Sequence, residues 1–202
     1  MKKGLKVFLI ILAILIVLWG GLILIYPKYH DWKTKKDAEK SRAEQEEAFS
    51  KIEFTVPEGY TVKDEPESWF MPELRCGDPD DILSVIRMQA WDREHYSAMS
   101  VDSLLDNCKP SADRPGEILR GPEEVDIGGL KGKMMVVRSD QVSEDLGVHF
   151  SYQDTYYMLQ SDEYLYKFTG HIDDVLMFER DDLETNPCMT GFDQFINSIK
   201  LK

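Results

Sequence analysis

The chain has 202 residues, with 24 Lys and Arg against 37 Asp and Glu and a formal net charge of −13. The charge is divided: residues 1–44 hold nine basic and four acidic residues, a balance of +5, and residues 45–202 hold fifteen and thirty-three, a balance of −18. A segment this acidic repels a phosphate backbone, which argues against nucleic-acid binding, whereas the basic N-terminal part is drawn to an anionic leaflet.

Residues 7–26 form an uncharged run, mostly Val, Leu, Ile, Phe and Ala, preceded by Lys2, Lys3 and Lys6 and followed by Lys28, Lys33, Lys35 and Lys36. About twenty apolar residues at 1.5 Å each span a hydrocarbon core of roughly 30 Å. A cleaved secretory signal has an apolar stretch of about 7–15 residues and a small-x-small cleavage site. Here the run is longer and ends in Leu22-Ile23-Leu24-Ile25-Tyr26-Pro27, and the first cysteine, Cys76, lies too far on for a lipoprotein signal. Residues 1–28 therefore read as a retained membrane anchor with its flanks. Six basic residues from Lys28 to Arg42 would by literal count hold the C-terminal part in the cytosol. A short N-terminal tail with three lysines resists translocation, and long domains cross despite flanking charge. The expected topology is single-pass with the C-terminal domain extracytoplasmic.

Residues 29–51 are polar nearly all round and rich in Ala, Lys, Glu, Gln and Arg, which are good helix formers. With no apolar stripe they read as a solvated helical stalk or linker. The soluble domain is expected over 52–202. Ile52, Phe54 and Val56 alternate with Glu53 and Thr55 as a first strand, and Pro57-Glu58-Gly59 turns into a second at Tyr60-Thr61-Val62. Residues 68–73 and 83–91 read as further strands, split by Gly77-Asp78-Pro79-Asp80. Ser100 caps a helix whose Val101, Leu104, Leu105 and Cys108 share one face, and Pro110 ends it. Residues 111–121 read as a loop. Strands at 124–127 and 131–139 meet at Gly128-Gly129, and 148–160 with 164–171 make a long hairpin around Ser161-Asp162-Glu163. Tyr164, Tyr166 and Phe168 share one face of its second strand. Residues 173–184 are acidic and ambiguous. A closing helix follows, with Thr190 as N-cap and Phe192, Phe195, Ile196 and Ile199 as its buried stripe. The fold class is α+β: an antiparallel β-sheet flanked by helices, after a single transmembrane helix.

This order of elements resembles the PsbP-like superfamily, which includes a photosynthetic oxygen-evolving-complex subunit, DcrB-type bacterial envelope lipoproteins and a nuclear-transport factor that binds the Ran GTPase. The matching features are Val56-Pro57-Glu58-Gly59-Tyr60, Val125-Asp126-Ile127-Gly128-Gly129, the aromatic hairpin from Tyr152 to Phe168 and the closing Phe195-Ile196-Asn197-Ser198-Ile199, together covering roughly residues 50–200. The chain departs from the bacterial lipoproteins in lacking a lipobox cysteine. The resemblance implies an α-β-α sandwich and carries over no catalytic residues, because its members mostly bind or scaffold.

Local catalytic and metal patterns are absent from the sequence. The histidines, His30, His95, His149 and His171, make neither H-x-x-x-H nor H-E-x-x-H, although His149 and His171 lie where they could meet across the long hairpin. No serine sits in G-x-S-x-G and no lysine in S-x-x-K or a phosphate-binding loop. Asp78-Pro79-Asp80-Asp81 and Asp181-Asp182-Leu183-Glu184 lack the spacing and glycine of a calcium loop. Cys76, Cys108 and Cys188 allow at most one intramolecular disulfide; one bridge in an exported domain and three buried thiols both fit the spacing. No catalytic residue, cofactor or metal is therefore expected. The function expected is a membrane-anchored, non-enzymatic, extracytoplasmic binding or scaffold domain of the cell envelope, with the membrane and a basic protein as partners. The alternatives are an envelope hydrolase with a dispersed site and a structural subunit of a membrane complex. Aromatic residues are common interface anchors, and the contact surface expected is the exposed side of the hairpin, with Tyr152, Tyr156, Tyr164 and Tyr166.

Overall fold

The structure, a computed structural model, describes residues 33, 34, 36, 38–63, 73–77, 84–143, 148–173 and 187–202. The expected anchor at 7–26, most of the expected strand at 68–73, and the acidic stretches 78–81 and 173–184, apart from the strand end at Asp173, lie outside the described residues. Among the described residues no helix is long and apolar enough to cross a membrane. The chain divides into two units, Met1–Ser41 and Arg42–Lys202. Residues 38–50 are helical, and the part in the second unit, 42–50, is α1.

Two paired sets of strands follow. β1 (Ile52–Glu53) pairs antiparallel with β9 (Lys200–Leu201). The others form a seven-stranded sheet in the order β2-β3-β4-β8-β7-β6-β5, antiparallel throughout. Their ranges are β2 Tyr60–Lys63, β3 Glu73–Cys76, β4 Ser84–Asp92, β5 Gly116–Ile127, β6 Leu130–Ser143, β7 Val148–Gln160 and β8 Tyr164–Asp173. Helix α2 (Val101–Asp106) follows β4, and α3 (Pro187–Ser198) precedes β9.

Both faces of the sheet are covered. On one, Ala48 of α1 and Phe192, Phe195 and Ile196 of α3 pack on Ile86, Met88, Ala90, Leu159, Tyr164, Tyr166 and Phe168. On the other, Val101, Leu104 and Leu105 of α2, with Cys108, cover Met135, Val137, Tyr156, Met158 and Leu165. Successive strand residues point to opposite faces, so Leu165 is as buried as Tyr164 and Tyr166 on either side of it. This is an α+β fold with an antiparallel sheet, as expected. Gly170 lets α3 approach, because a Cβ there would meet the Phe192 ring 2.6 Å away.

Several expectations match the geometry. Ser100 and Ser103 form a reciprocal capping box at the start of α2. Gly128 and Gly129 take φ of 56° and 91°, the left-handed pair of a two-residue hairpin turn. β7 and β8 form the long hairpin, and Phe192, Phe195, Ile196 and Ile199 are all buried.

Others are corrected. The first strand stops at Glu53: β1 is completed by the C-terminus, and the backbone N–H of Thr55 donates to Ser198 Oγ instead of a ladder. β5 begins at Gly116, inside the stretch expected as a loop. It is the last strand of the sheet and absorbs Pro122 through register shifts between Ile118 and Arg120 and between Arg120 and Glu123, with a cis Gly121–Pro122 bond; edge strands and bulges are where a sheet tolerates proline. Thr190 is not the cap of α3. The helix starts at Pro187, whose missing N–H costs nothing in a first helical turn. The stalk is not polar all round. Gln45 and Ala48 are buried and Phe49 packs on the core, so the unit begins at Arg42, not at Ile52. Gln45 Nε2 donates to the Ala90 carbonyl (2.6 Å), and the Ala90 N–H donates to Gln45 Oε1 (2.8 Å). Among the described residues β3 pairs with β4 at Leu74–Ile86 and Arg75–Val85. The Gln45 amide thus supplies Ala90 with the two hydrogen bonds that a neighbouring strand would make. No apolar stripe is visible within 29–51 because the buried face of α1 continues into β1: Gln45, Ala48 and Phe49 are followed by Ile52.

Candidate functional site

The hairpin register decides where the expected tyrosines go. Tyr152 faces Asp173, Asp154 faces His171 and Leu159 faces Tyr166, so even-numbered residues of β7 share a face with odd-numbered residues of β8. Tyr152 and Tyr156 therefore lie on the α2 side, and Tyr164 and Tyr166 on the α1 and α3 side. Tyr156, Tyr164 and Tyr166 are buried and Tyr152 is half-buried. Tyr166 Oη donates to the Ala48 carbonyl, stacks on Phe168 and has its phenol pushed up to about 12 by burial. The four side chains are divided between the two sides of the sheet and do not form one exposed surface. This corrects the expected contact site.

The register brings a different set together on the α2 side. Asp154 Oδ1 lies 2.6 Å from His171 Nδ1, with both side chains almost wholly buried. Tyr156 Oη donates to Asp154 Oδ2, also at 2.6 Å. Both carboxylate oxygens are thus engaged, as buried charge requires. Burial, then the negative charge of Asp154, holds the Tyr156 phenol well above its ordinary range, so it remains a neutral donor at physiological pH. The Lys167 ammonium sits 5.2 Å from the Tyr156 ring centroid, within cation–π range, and the Tyr152 ring lies 5.3 Å from the His171 ring. Cys108, at the end of α2, has a buried free thiol that donates to the Leu104 carbonyl and is raised above its ordinary pKa by burial.

Chemically, a carboxylate that accepts from Nδ1 orients an imidazole and makes Nε2 its basic nitrogen. That is the supporting half of a general-base arrangement. Burial keeps the Cys108 thiol protonated and unsuited to nucleophilic attack. From the sequence alone His171 reads as a strand histidine on a solvated face, with room to meet His149 across the hairpin. In the structure His149 is opposite Val142 on β6, and the residue facing His171 is Asp154. A hairpin centred on Ser161-Asp162-Glu163 would set 154 against Gly170; the observed turn is one residue shorter, Gln160 pairs with Leu165, and this brings Asp154 opposite His171.

Cys76 and Cys188 form a disulfide that ties β3 to α3 across 112 residues of sequence. Tyr60 Oη of β2 donates to the Cys188 carbonyl beside it. Among the described residues no group of three or more His, Cys, Asp or Glu could hold a metal ion.

No family model matches the chain, and no curated protein does. Among solved structures the chain is similar to LpqN, involved in cell envelope biogenesis of Mycobacterium tuberculosis, with a TM-score of 0.43 and 12% identity over 75% of this chain and 83% of that one. It is also similar to a protein from Bacteroides thetaiotaomicron VPI-5482, with a TM-score of 0.42 and 9% identity; the match covers 76% of this chain and 46% of that one.

Proposed function

We propose that the chain is a membrane-anchored, non-enzymatic binding or scaffold domain on the extracytoplasmic side of a cell envelope, with a basic protein partner. The Cys76–Cys188 disulfide carries this reading. Disulfides persist in oxidising compartments and are rare where thiols are kept reduced, which favours an exported domain over the literal lysine count. The uncharged run at 7–26 supports the anchor. The balance of −18 over residues 45–202 supports long-range steering toward a basic partner, with association that weakens as salt rises. Helices on both sides of an antiparallel sheet support the PsbP-like resemblance, whose members mostly bind or scaffold.

The test is topology and redox state together. A protease added to intact spheroplasts should remove the domain, and non-reducing electrophoresis of freshly alkylated cells should find Cys76 and Cys188 joined. Full protection with both thiols alkylated would reverse the assignment.

The Asp154–His171 pair favours a second reading, an envelope enzyme with a dispersed site. Turnover of an ester or amide panel by the full-length protein, lost in His171→Gln without loss of thermal stability, would promote that reading over the first.

A further inference from the structure

The outer edge of β5 is the part of the sheet where exposed backbone and ordered charge coincide. β5 is the terminal strand, and nearly all its residues are exposed or half-exposed. An edge strand of this kind is a template for another strand unless something blunts it. The two register shifts and Pro122 blunt its first part. From Glu123 to Ile127 the pairing with β6 is regular, residue for residue.

Along that stretch the charges fall in rows. Glu124 faces Lys133 and Asp126 faces Lys131. Lys133 makes its shorter contact with Asp102 of α2, at 2.6 Å, and reaches Glu124 only at 3.4 Å, while the Glu124 side chain is 80% exposed. Each row thus runs from a cation on β6 to an acid on β5 and ends there. The residue between them, Val125, packs toward the core. We infer that residues Glu123–Ile127 accept an extended segment of a partner protein, added as a further strand, with two Lys or Arg side chains two residues apart that sit beside Glu124 and Asp126. The inference rests on the reading that the partner is basic, and it supplies the place and the spacing.

A second copy of the chain fits this edge poorly. Antiparallel self-pairing centred on Val125 would set Glu124 against Asp126 twice, and in-register parallel pairing would set each acid beside its own copy. Like charges directly across a sheet are destabilising, and opposite charges stabilising. In strand addition the main chain gives affinity, and alternate side chains give specificity.

The experiment uses the full chain in detergent micelles and a fluorescein-labelled, acetylated ten-residue peptide alternating Lys and Thr, followed by anisotropy at low salt. Two comparison peptides carry Glu in place of Lys, or the same charge with a central Pro. The Lys peptide should bind, and the Pro peptide at least tenfold more weakly. The double variant Glu124→Lys with Asp126→Lys should lose at least tenfold for the Lys peptide and gain for the Glu peptide. A charge-matched control, Asp113→Lys with Asp162→Lys, should leave affinity within twofold. Equal binding of the Pro peptide overturns strand addition. Unchanged binding by the β5 double variant overturns the assignment to β5 while leaving the basic-partner reading intact, and no binding of the Lys peptide at all counts against both. A sedimenting dimer that the β5 double variant abolishes would overturn the heterologous partner in favour of a second copy.

Discussion

Gln45→Ala is expected to destabilise the domain far more than a helix-surface substitution should. Gln45 is 9% exposed, and its side-chain amide makes both hydrogen bonds to Ala90, at 2.6 and 2.8 Å. Truncation leaves a buried N–H and a buried C=O without these partners, at about 1–3 kcal/mol each, so about 2–6 kcal/mol in all. A helix propensity gain of a few tenths of a kcal/mol offsets little of this. For a domain of this size each kcal/mol moves the melting midpoint by about 2–4 °C, so the shift should be at least roughly 4 °C. The assay is thermal unfolding by circular dichroism at fixed pH and ionic strength. Glu46→Ala is the internal comparison. That residue neighbours Gln45, but its ion pair with Arg42 is more than half exposed on both sides, and such pairs contribute at most about 0.5 kcal/mol. Equal shifts for the two variants, or a Gln45→Ala shift under 2 °C, would refute the claim that α1 completes the edge of β4.

Full reduction, or Cys76→Ser with Cys188→Ser, should cost about 5 kcal/mol in the loop-entropy account for a bridge spanning 112 residues; the midpoint with and without reductant measures it. Gly170→Ala should cost about 1–3 kcal/mol, because the new methyl group forces the Phe192 ring to move within a packed core; an unchanged midpoint would show that α3 does not sit as described. Stability should fall as pH rises from about 10 through about 12. Tyr166 has its folded pKa raised to about 12 above an unfolded value near 10, so its contribution is complete below the unfolded pKa and lost above the folded one. Melting between pH 9 and 12 should show a shallower fall in Tyr166→Phe than in the parent.

The elements were easiest to read where local chemistry and burial agree. Ser100 to Cys108 announces a capped, one-faced helix, and Gly128-Gly129 announces a hairpin turn; each needs only its own neighbours. The failures share one cause, which is dependence on residues far away in sequence. Ile52 and Glu53 look like the start of a longer strand, yet their partner is Leu201 and Lys200. Gln45 looks like a solvated stalk residue until the open edge of β4 is known. The tyrosines look like one aromatic face because Tyr152, Tyr156, Tyr164 and Tyr166 are all even-numbered. A hairpin whose paired positions have an odd sum puts the even residues of its two strands on opposite faces. That register comes from a two-residue turn at Asp162-Glu163, with Gln160 opposite Leu165, where the sequence suggests a three-residue turn, and it places Asp154 beside His171, a pair that no local motif contains.

The placement of polar groups narrows where recognition can occur. Tyr156, Tyr164, Tyr166 and Phe168 are buried on one face of the sheet or the other, and its most elaborate polar cluster, Asp154 with His171 and Tyr156, is largely buried under the α2 side. What the fold leaves outside is edge backbone, and most of that is closed in some way. Tyr60 anchors β2 beside the disulfide. The β4 edge at Ala90 is closed by Gln45. The first part of β5 is broken by its register shifts and Pro122. Residues 123–127 keep a regular ladder on one side and an open row of acids on the other. A protein that blunts strand pairing elsewhere, by a side-chain cap and by bulges, has along this stretch the repulsion of Glu124 and Asp126 to keep copies of itself apart, and just beyond it the Gly128 carbonyl accepts from the Leu201 N–H. That same repulsion becomes attraction toward a basic strand, so one feature both prevents self-association and selects the partner.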